Sequence, residues 1–345
     1  MNRSLKTGIR YVLERLISLI GPRSFYFFNA NNLLILTYHR VLPPDHPDLK
    51  FEQPGMYVTP KTFKLHMEEL KKRFELLHLS DWIDASQKKQ SLNKYCCAVT
   101  FDDGWLDNYE YAYPIIKELG IPVTVFVVSS YLGTRYSFWP NRLSRLLGSL
   151  NEKQLSGLIH SKEGKWLEQL DIVTDNFIRN ELDIDKINQL IENCKVYSEN
   201  ELNRYIDELE SAADGLVDSE TVDLMSQSHL KEMVQSGLVR IGSHTSHHKR
   251  LLDDLSKNEV EIEVKQSKND LQAMLSTPIE LFCYPNGNYT DYSLSVVKNN
   301  YAAACSTKRG WNTPRTDVML LKRIGLHEDV SFNKHKFLAR LSGLL

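Results

Sequence analysis

Val99-Thr100-Phe101-Asp102-Asp103-Gly104 is the stretch that most constrains this chain. Together with the residues from Cys96 it reads as an apolar β-type run that ends in two adjacent carboxylates and a glycine able to turn the backbone. A strand ending in this way presents Asp102 and Asp103 at its carboxyl edge, where α/β proteins place their chemistry. Neighbouring side chains on a strand point to opposite faces. One carboxylate can therefore bind a metal while the other handles a proton. Asp-Asp-Gly is also ordinary turn chemistry, and the rest of the chain has to decide between the two readings.

The surroundings alternate strand and helix. A buried-type strand at 33–36 leads into Thr37-Tyr38-His39-Arg40-Val41, and a proline-containing loop runs from 42 to 56. Thr59 and Pro60 open a helix through Phe74, and 75–79 reads as a strand. After the acidic turn, a helix over 108–119 closes at Gly120, and 122–128 is a β-branched strand. The pattern resumes with a helix at 228–235 and a strand at 238–241. A helix at 259–275, a strand at 279–284, a helix at 292–299 and strands at 302–306 and 322–326 follow. Such alternation argues for parallel βα units. Between them, 141–225 is charged, helical in tendency and acidic towards its end, which reads as a helical insertion.

The first thirty residues stand apart. Leu5, Ile9, Val12, Leu13, Leu16 and Ile20 recur at helical spacing, while Arg3, Lys6, Arg10 and Arg15 make the other side cationic. Such a helix either packs on the domain or lies against an anionic membrane surface, making residues 3–20 a candidate peripheral contact. Arg10, Glu14 and Arg15 interrupt what a signal peptide would need as an apolar core, and no apolar run reaches the roughly 18 residues of a membrane span. The expectation is a cytoplasmic protein, with the inner face of the membrane as its other station. A net charge of −2 offers no basic field for nucleic acid. The five cysteines match neither a disulfide framework nor a zinc-ribbon spacing, so reduced buried thiols are expected.

Three histidines, His244, His247 and His248, follow the strand at 238–241. His244 and His248, four apart, can face one metal ion. Two imidazoles and a carboxylate form a common catalytic zinc shell that leaves a position open for water. Asp103 would be the carboxylate, and His247 is then the odd one out.

Thr100-Phe101-Asp102-Asp103-Gly104 and His244-Thr245-x-x-His248 resemble the first two motifs of the polysaccharide deacetylases, the NodB-homology or carbohydrate esterase 4 family. Phe282-x-Tyr284-Pro285-x-Gly287 resembles their third motif. Tyr38-His39-Arg40-Val41, with Lys322-Arg323-Ile324 leading to His327-Glu328-Asp329, is similar to a subgroup with permuted barrel order, as in exopolysaccharide N-deacetylases. The resemblance covers about residues 33–139 and 226–331. It implies a distorted (β/α)7 barrel over 31–345, with 1–30 as an N-terminal helix and 141–225 as the insertion. It further implies a divalent metal, zinc being favoured, held by Asp103, His244 and His248. Asp102 would be the general base for the attacking water, and Tyr284, Pro285 and Trp105 would contact substrate. His39 and His327 compete for the general acid, and the motif match favours His39. One departure stands out: Cys283 occupies the place where many relatives carry the arginine that orients the base. Arg323 or Arg40 is the expected replacement.

The implied activity is removal of N-acetyl groups from amino sugars of a saccharide or glycan-biosynthesis intermediate, in cell-surface polysaccharide assembly. The alternatives are a deacylase or deformylase of another amide, and an inactive saccharide-binding barrel. Glycan binding indifferent to chelator and to Asp102→Asn would mark the last of these.

Overall fold

The computed structural model describes residue 15 and residues 32–53, 55–90, 92, 95–170, 184–213 and 223–342. The helix expected within 1–30 lies, apart from Arg15, outside the described residues. Among the described residues no helix is long and apolar enough to cross a membrane. The chain divides into two compact units. One draws on Met1–Pro43, Pro54–Thr134 and Leu224–Leu345, the other on Pro44–Gln53 and Arg135–Asp223.

The first unit contains strands β1 (Leu33–Tyr38), β2 (Arg40–Val41), β3 (Tyr57–Val58), β4 (Glu75–Leu76), β5 (Cys96–Phe101) and β6 (Val123–Val127). After the second unit's segment come β7 (Val239–Ser243), β8 (Leu281–Cys283), β9 (Ala303–Arg309) and β10 (Leu321–Gly325). Seven of them pair in parallel in the order β1-β10-β9-β8-β7-β6-β5, and β5 pairs back onto β1 from Leu33↔Cys96 to Tyr38↔Phe101. The ring is thus closed, and the expected distorted (β/α)7 barrel is the architecture found. Strand β4 pairs with the start of β5, Glu75 opposite Cys96 and Leu76 opposite Cys97. The strand expected over 75–79 is cut short because Leu79 opens the helix Leu79–Gln87.

Strand alternation sorts the core into two. Leu33, Ile35, Cys96, Ala98, Phe126, Leu281, Cys283, Ala303, Cys305 and Leu321 form one buried cluster with Trp82 and Ile83 of the helix at 79–87. These are the inward positions, where large side chains such as Leu33, Ile35 and Phe126 interleave with small ones such as Ala98 and Ala303 to fill the ring. Gly242 is inward too: a Cβ there would lie 2.5 Å from the Phe126 ring. The alternate positions, among them Leu34, Leu36, Tyr38, Val99, Phe101, Val123 and Val125, pack outwards beneath the helices. All five cysteines are buried and reduced, as expected.

Helix ends are set by local chemistry. Thr59 caps Pro60–Lys71 through the N–H of Thr62, and Ser226 and Ser256 open Gln227–Gln235 and Lys257–Glu261 with capping boxes. On Pro60–Lys71 sits a fully buried His66, stacked on Phe337. Its Nδ1 meets the Tyr38 hydroxyl at 3.0 Å and its Nε2 donates to the Ser331 carbonyl at 2.8 Å. Burial pushes this imidazole down to about 4. The unfolded chain protonates the same ring near 6.5, so below that pH the unfolded state binds more protons and gains on the fold. Stability is therefore expected to fall by about 3 kcal/mol between pH 6.5 and 4. Denaturant titrations of His66→Gln across this window should show a flatter profile.

The second unit is helical. Trp139–Ser149, Glu152–Ile159, Lys165–Glu168, Ile184–Cys194 and Glu199–Ala212 enclose their own apolar cluster, including Leu143, Leu147, Ile159, Leu190, Leu202 and Ile206. Arg145 ties the early segment of this unit to its late one, donating to Asp48 at 3.0 Å and to both oxygens of Asp223.

Candidate active site

The acidic turn follows β5 directly. Strand pairing ends at Phe101, and the Asp102 N–H donates to the Tyr38 carbonyl at 3.0 Å. Asp103 then takes φ 74° and Gly104 φ 86°. The two carboxylates are therefore separated by a left-handed turn rather than by the strand alternation inferred from the sequence. Glycine is required at 104, because its φ is unfavourable for other residues and a Cβ would sit 3.0 Å from Val127 Cγ1. Thr245 and His248 are also left-handed, at φ 67° and 59°. Non-glycine residues in this region carry strain of roughly 1–3 kcal/mol each, and such strain concentrates at functional sites.

The turn after β5 and the loop after β7 bring Asp103, His244 and His248 together. One ligand atom from each lies within 4.8 Å of the others. His244 Nε2 and His248 Nε2 are both 3.4 Å from Asp103 Oδ1. His244 Nδ1 faces the Cys283 carbonyl at 2.8 Å. A carbonyl only accepts, so Nδ1 is the donor in this contact, and Nε2 is the ring nitrogen turned to Asp103. The other oxygen of Asp103, Oδ2, takes the Trp105 indole N–H at 2.9 Å. Burial alone would raise the Asp103 carboxyl, but the two histidines override it and hold it well below the usual range. Two imidazole Nε2 atoms and one carboxylate oxygen are a donor set that suits a small divalent cation of the zinc type. Asp102, His244 and Cys283 also lie within 4.8 Å. That set is the poorer one: Asp102 gives both oxygens to Arg323, and burial pushes the Cys283 thiol well above its ordinary value.

Asp102 is buried and held from the barrel interior. Arg323 on β10 grips it bidentately, Nη1 to Oδ1 and Nη2 to Oδ2, both at 2.7 Å. The remaining donors of Arg323 reach the Ser306 carbonyl, Thr37 Oγ1 and Cys283 Sγ, at 3.1, 2.9 and 3.1 Å. Burial opposes the charge on Asp102, yet the guanidinium wins and keeps the carboxyl below its usual value. Cys283 Sγ lies 3.7 Å from Asp102 Oδ2. Of the two arginines expected to stand in for the missing one, Arg323 is the one the structure sets on the carboxylate. Arg40 donates through Nε to Asp107 Oδ2 at 2.8 Å and lies over the Trp105 ring at 4.4 Å.

His39 sits between β1 and β2 with its Nε2 3.9 Å from Asp102 Oδ2, its side chain about one-third exposed. His327 caps the short helix Glu328–Ser331, and its Nδ1 pairs with Asp329. His247, the odd histidine, pairs with the buried Glu263 at 2.8 Å. Trp105, Tyr284 and Pro285, expected at the substrate, are all buried. Trp105 spends its indole N–H on Asp103, and Tyr284 packs against Phe282 and Tyr289. Trp105→Phe keeps the ring and deletes the bond to Asp103 Oδ2. A metal bound here is expected to weaken about 10- to 100-fold, measured by competition with a metal indicator dye.

Asp107 was not legible as a site residue. It precedes the helical segment beginning at Asn108 and so looks like a helix-start signal. Its carboxylate makes no cap; both oxygens go to Arg40 and to the Val41 N–H.

A sequence profile of the polysaccharide deacetylases matches residues 89–194 and 196–303, more than half of the chain. The chain belongs to the polysaccharide deacetylase family. A Bacillus subtilis relative named for that activity, YxkH, is 26% identical over 122 residues, or 33% of this chain and 38% of its own length. The match thus spans well under half of that relative. Among solved structures, the Streptococcus pyogenes deacetylase PplD in complex with acetate is similar with a TM-score of 0.59 and 18% identity, over 91% of this chain and 99% of that one. IcaB from Ammonifex degensii gives 0.57 and 18%, over 90% and 98%. At such identity these likenesses establish a shared fold, and the deacetylase-family barrel is that fold.

Proposed function

We propose that this deacetylase-family protein hydrolyses the N-acetyl amide of amino sugars in a saccharide or glycan-biosynthesis intermediate, with a divalent metal, zinc favoured, held by Asp103, His244 and His248. One observation carries the reading. A trio of candidate ligands, Asp103, His244 and His248, lies beside a separate buried carboxylate, Asp102, which is kept ionised by Arg323 and faces His39 at 3.9 Å.

A cation in that trio supplies Lewis acidity to the amide carbonyl and to an attacking water. Asp102 accepts the proton of the water as it attacks. Arg323 fixes both carboxylate oxygens, so the base is oriented before substrate arrives. The sugar amine is a poor leaving group and must be protonated as the C–N bond breaks. His39 is assigned that proton, because it stands next to the base and is solvent-accessible, whereas His327 pairs with Asp329. The chain's family supports the substrate class, and the side-chain-filled barrel interior supports a site confined to the strand ends.

The test is acetate release from an N-acetylglucosamine oligomer by zinc-loaded protein, before and after chelation. Release that stops with chelator and returns with zinc is expected. Tight oligomer binding without acetate, unaffected by chelator, would replace the hydrolase with a binding barrel.

A further inference from the structure

We infer that Asp107 and Asn108 are positioning residues that hold His39 at its distance from Asp102, an inference that rests on His39 being the general acid. His39 is a single residue between two strands of different sheets: Tyr38 ends β1 in the ring, and Arg40 begins β2, which pairs only with β3. Such a junction leaves the imidazole free to shift unless its backbone is fixed. Three consecutive residues are fixed from one place. Asn108 Nδ2 donates to the His39 carbonyl at 2.8 Å. Arg40 Nε donates to Asp107 Oδ2 at 2.8 Å, and the Val41 N–H to Asp107 Oδ1 at 2.8 Å.

Two details argue that this serves placement as well as folding. Asn108 Nδ2 also reaches Asp107 Oδ1 at 3.1 Å, while Asn108 Oδ1 is buried with no partner among the described residues. The amide leaves its oxygen unpaired so that its nitrogen can bridge the His39 backbone and the carboxylate, an arrangement that stability alone disfavours. Asp107, already in helical backbone, likewise spends both carboxylate oxygens on the two residues that follow His39. Both anchors lie only a few residues past the Asp102–Gly104 turn and are almost wholly buried. Base and acid are thereby mounted on one rigid segment, and a shift of about 1 Å in such a pair can cost about 100-fold.

The experiment compares the zinc-loaded full chain with His39→Ala, Asp107→Asn, Asn108→Ala and His39→Ala/Asp107→Asn, on an N-acetylglucosamine oligomer and on 4-nitrophenyl acetate. Nitrophenolate leaves without protonation, so loss of the acid affects the amide and spares the ester. His39→Ala is expected to lower amide kcat by about 10²–10⁴-fold and ester kcat little. Asp107→Asn should lower amide kcat roughly 10- to 100-fold with the same sparing of the ester, unchanged zinc content, and no further loss in the double variant. Should Asp107→Asn fail to fold, Asn108→Ala, which keeps the Arg40 ion pair, should still show the selective loss, at roughly 5- to 10-fold. An amide-to-ester ratio that moves in His39→Ala but in neither anchor variant overturns the positioning role, as does a double variant whose losses multiply. A ratio unmoved in His39→Ala itself overturns the acid assignment, and the anchor's role with it.

Discussion

Asp103→Ala and His248→Ala should each empty the metal site and lower acetate release by roughly 10³-fold or more, whereas Asp102→Asn should keep the metal and still lose about 10²–10⁴-fold in kcat. The contrast follows from the atoms. Asp103 Oδ1 stands 3.4 Å from both imidazole Nε2 atoms, so deleting it removes the charge that balances the cation. Asp102 has both oxygens on Arg323 and contributes no free donor to that set. Asparagine there retains shape but cannot take a proton. Elemental analysis of the three variants beside the parent, with acetate release from the same samples, reads both quantities. One zinc per chain persisting in Asp103→Ala and His248→Ala would sink the ligand assignment.

Arg323→Ala should be the most destabilising change at the site, by about 3–5 kcal/mol. It strands Asp102 as a buried charge and leaves Thr37, Cys283 and the Ser306 carbonyl without their shared partner. Adding Asp102→Asn should recover much of that loss, since the stranded charge disappears. The pair also has a pH signature. A carboxylate held below its ordinary value contributes stability that is complete above about 3.9 and is lost as pH falls through the lower folded value. Denaturant midpoints of parent, single and double variants test this. A single variant as stable as the parent would show that Asp102 is already neutral in the fold.

The barrel was readable because its signals are local. β-Branched runs, glycine stops and alternating helices survive in one dimension, and the seven ring strands lie at the predicted places. The grouping of Asp103, His244 and His248 was readable for a different reason: they belong to two short motifs whose residue types have few other uses in combination. What could not be read was side-chain direction. Trp105 looked like a sugar-binding ring and Arg40 like an orienting cation. Both turned inwards, one to Asp103 and the other to Asp107. The backbone at Asp103 was also misjudged, because the strand ends one residue before the carboxylates and a left-handed turn separates them. Arg323 was anticipated only through the gap left at Cys283, and its reach across the barrel depends on Thr37 and Thr100 being small at the inward positions.

The closure of β5 onto β1 links catalysis to the order in which the chain folds. Asp102 and Arg323 are 221 residues apart, and the strands that carry them, β5 and β10, flank β1 in the ring. Chain-closure entropy makes so distant a contact a late event. A partly folded chain therefore holds β5 and its acidic turn while the base still lacks its counter-ion, and such a species is inert however much helix it has formed. Recovery of acetate release during refolding would then time the docking of β10, reporting the last seam of the barrel to close rather than the formation of the bulk.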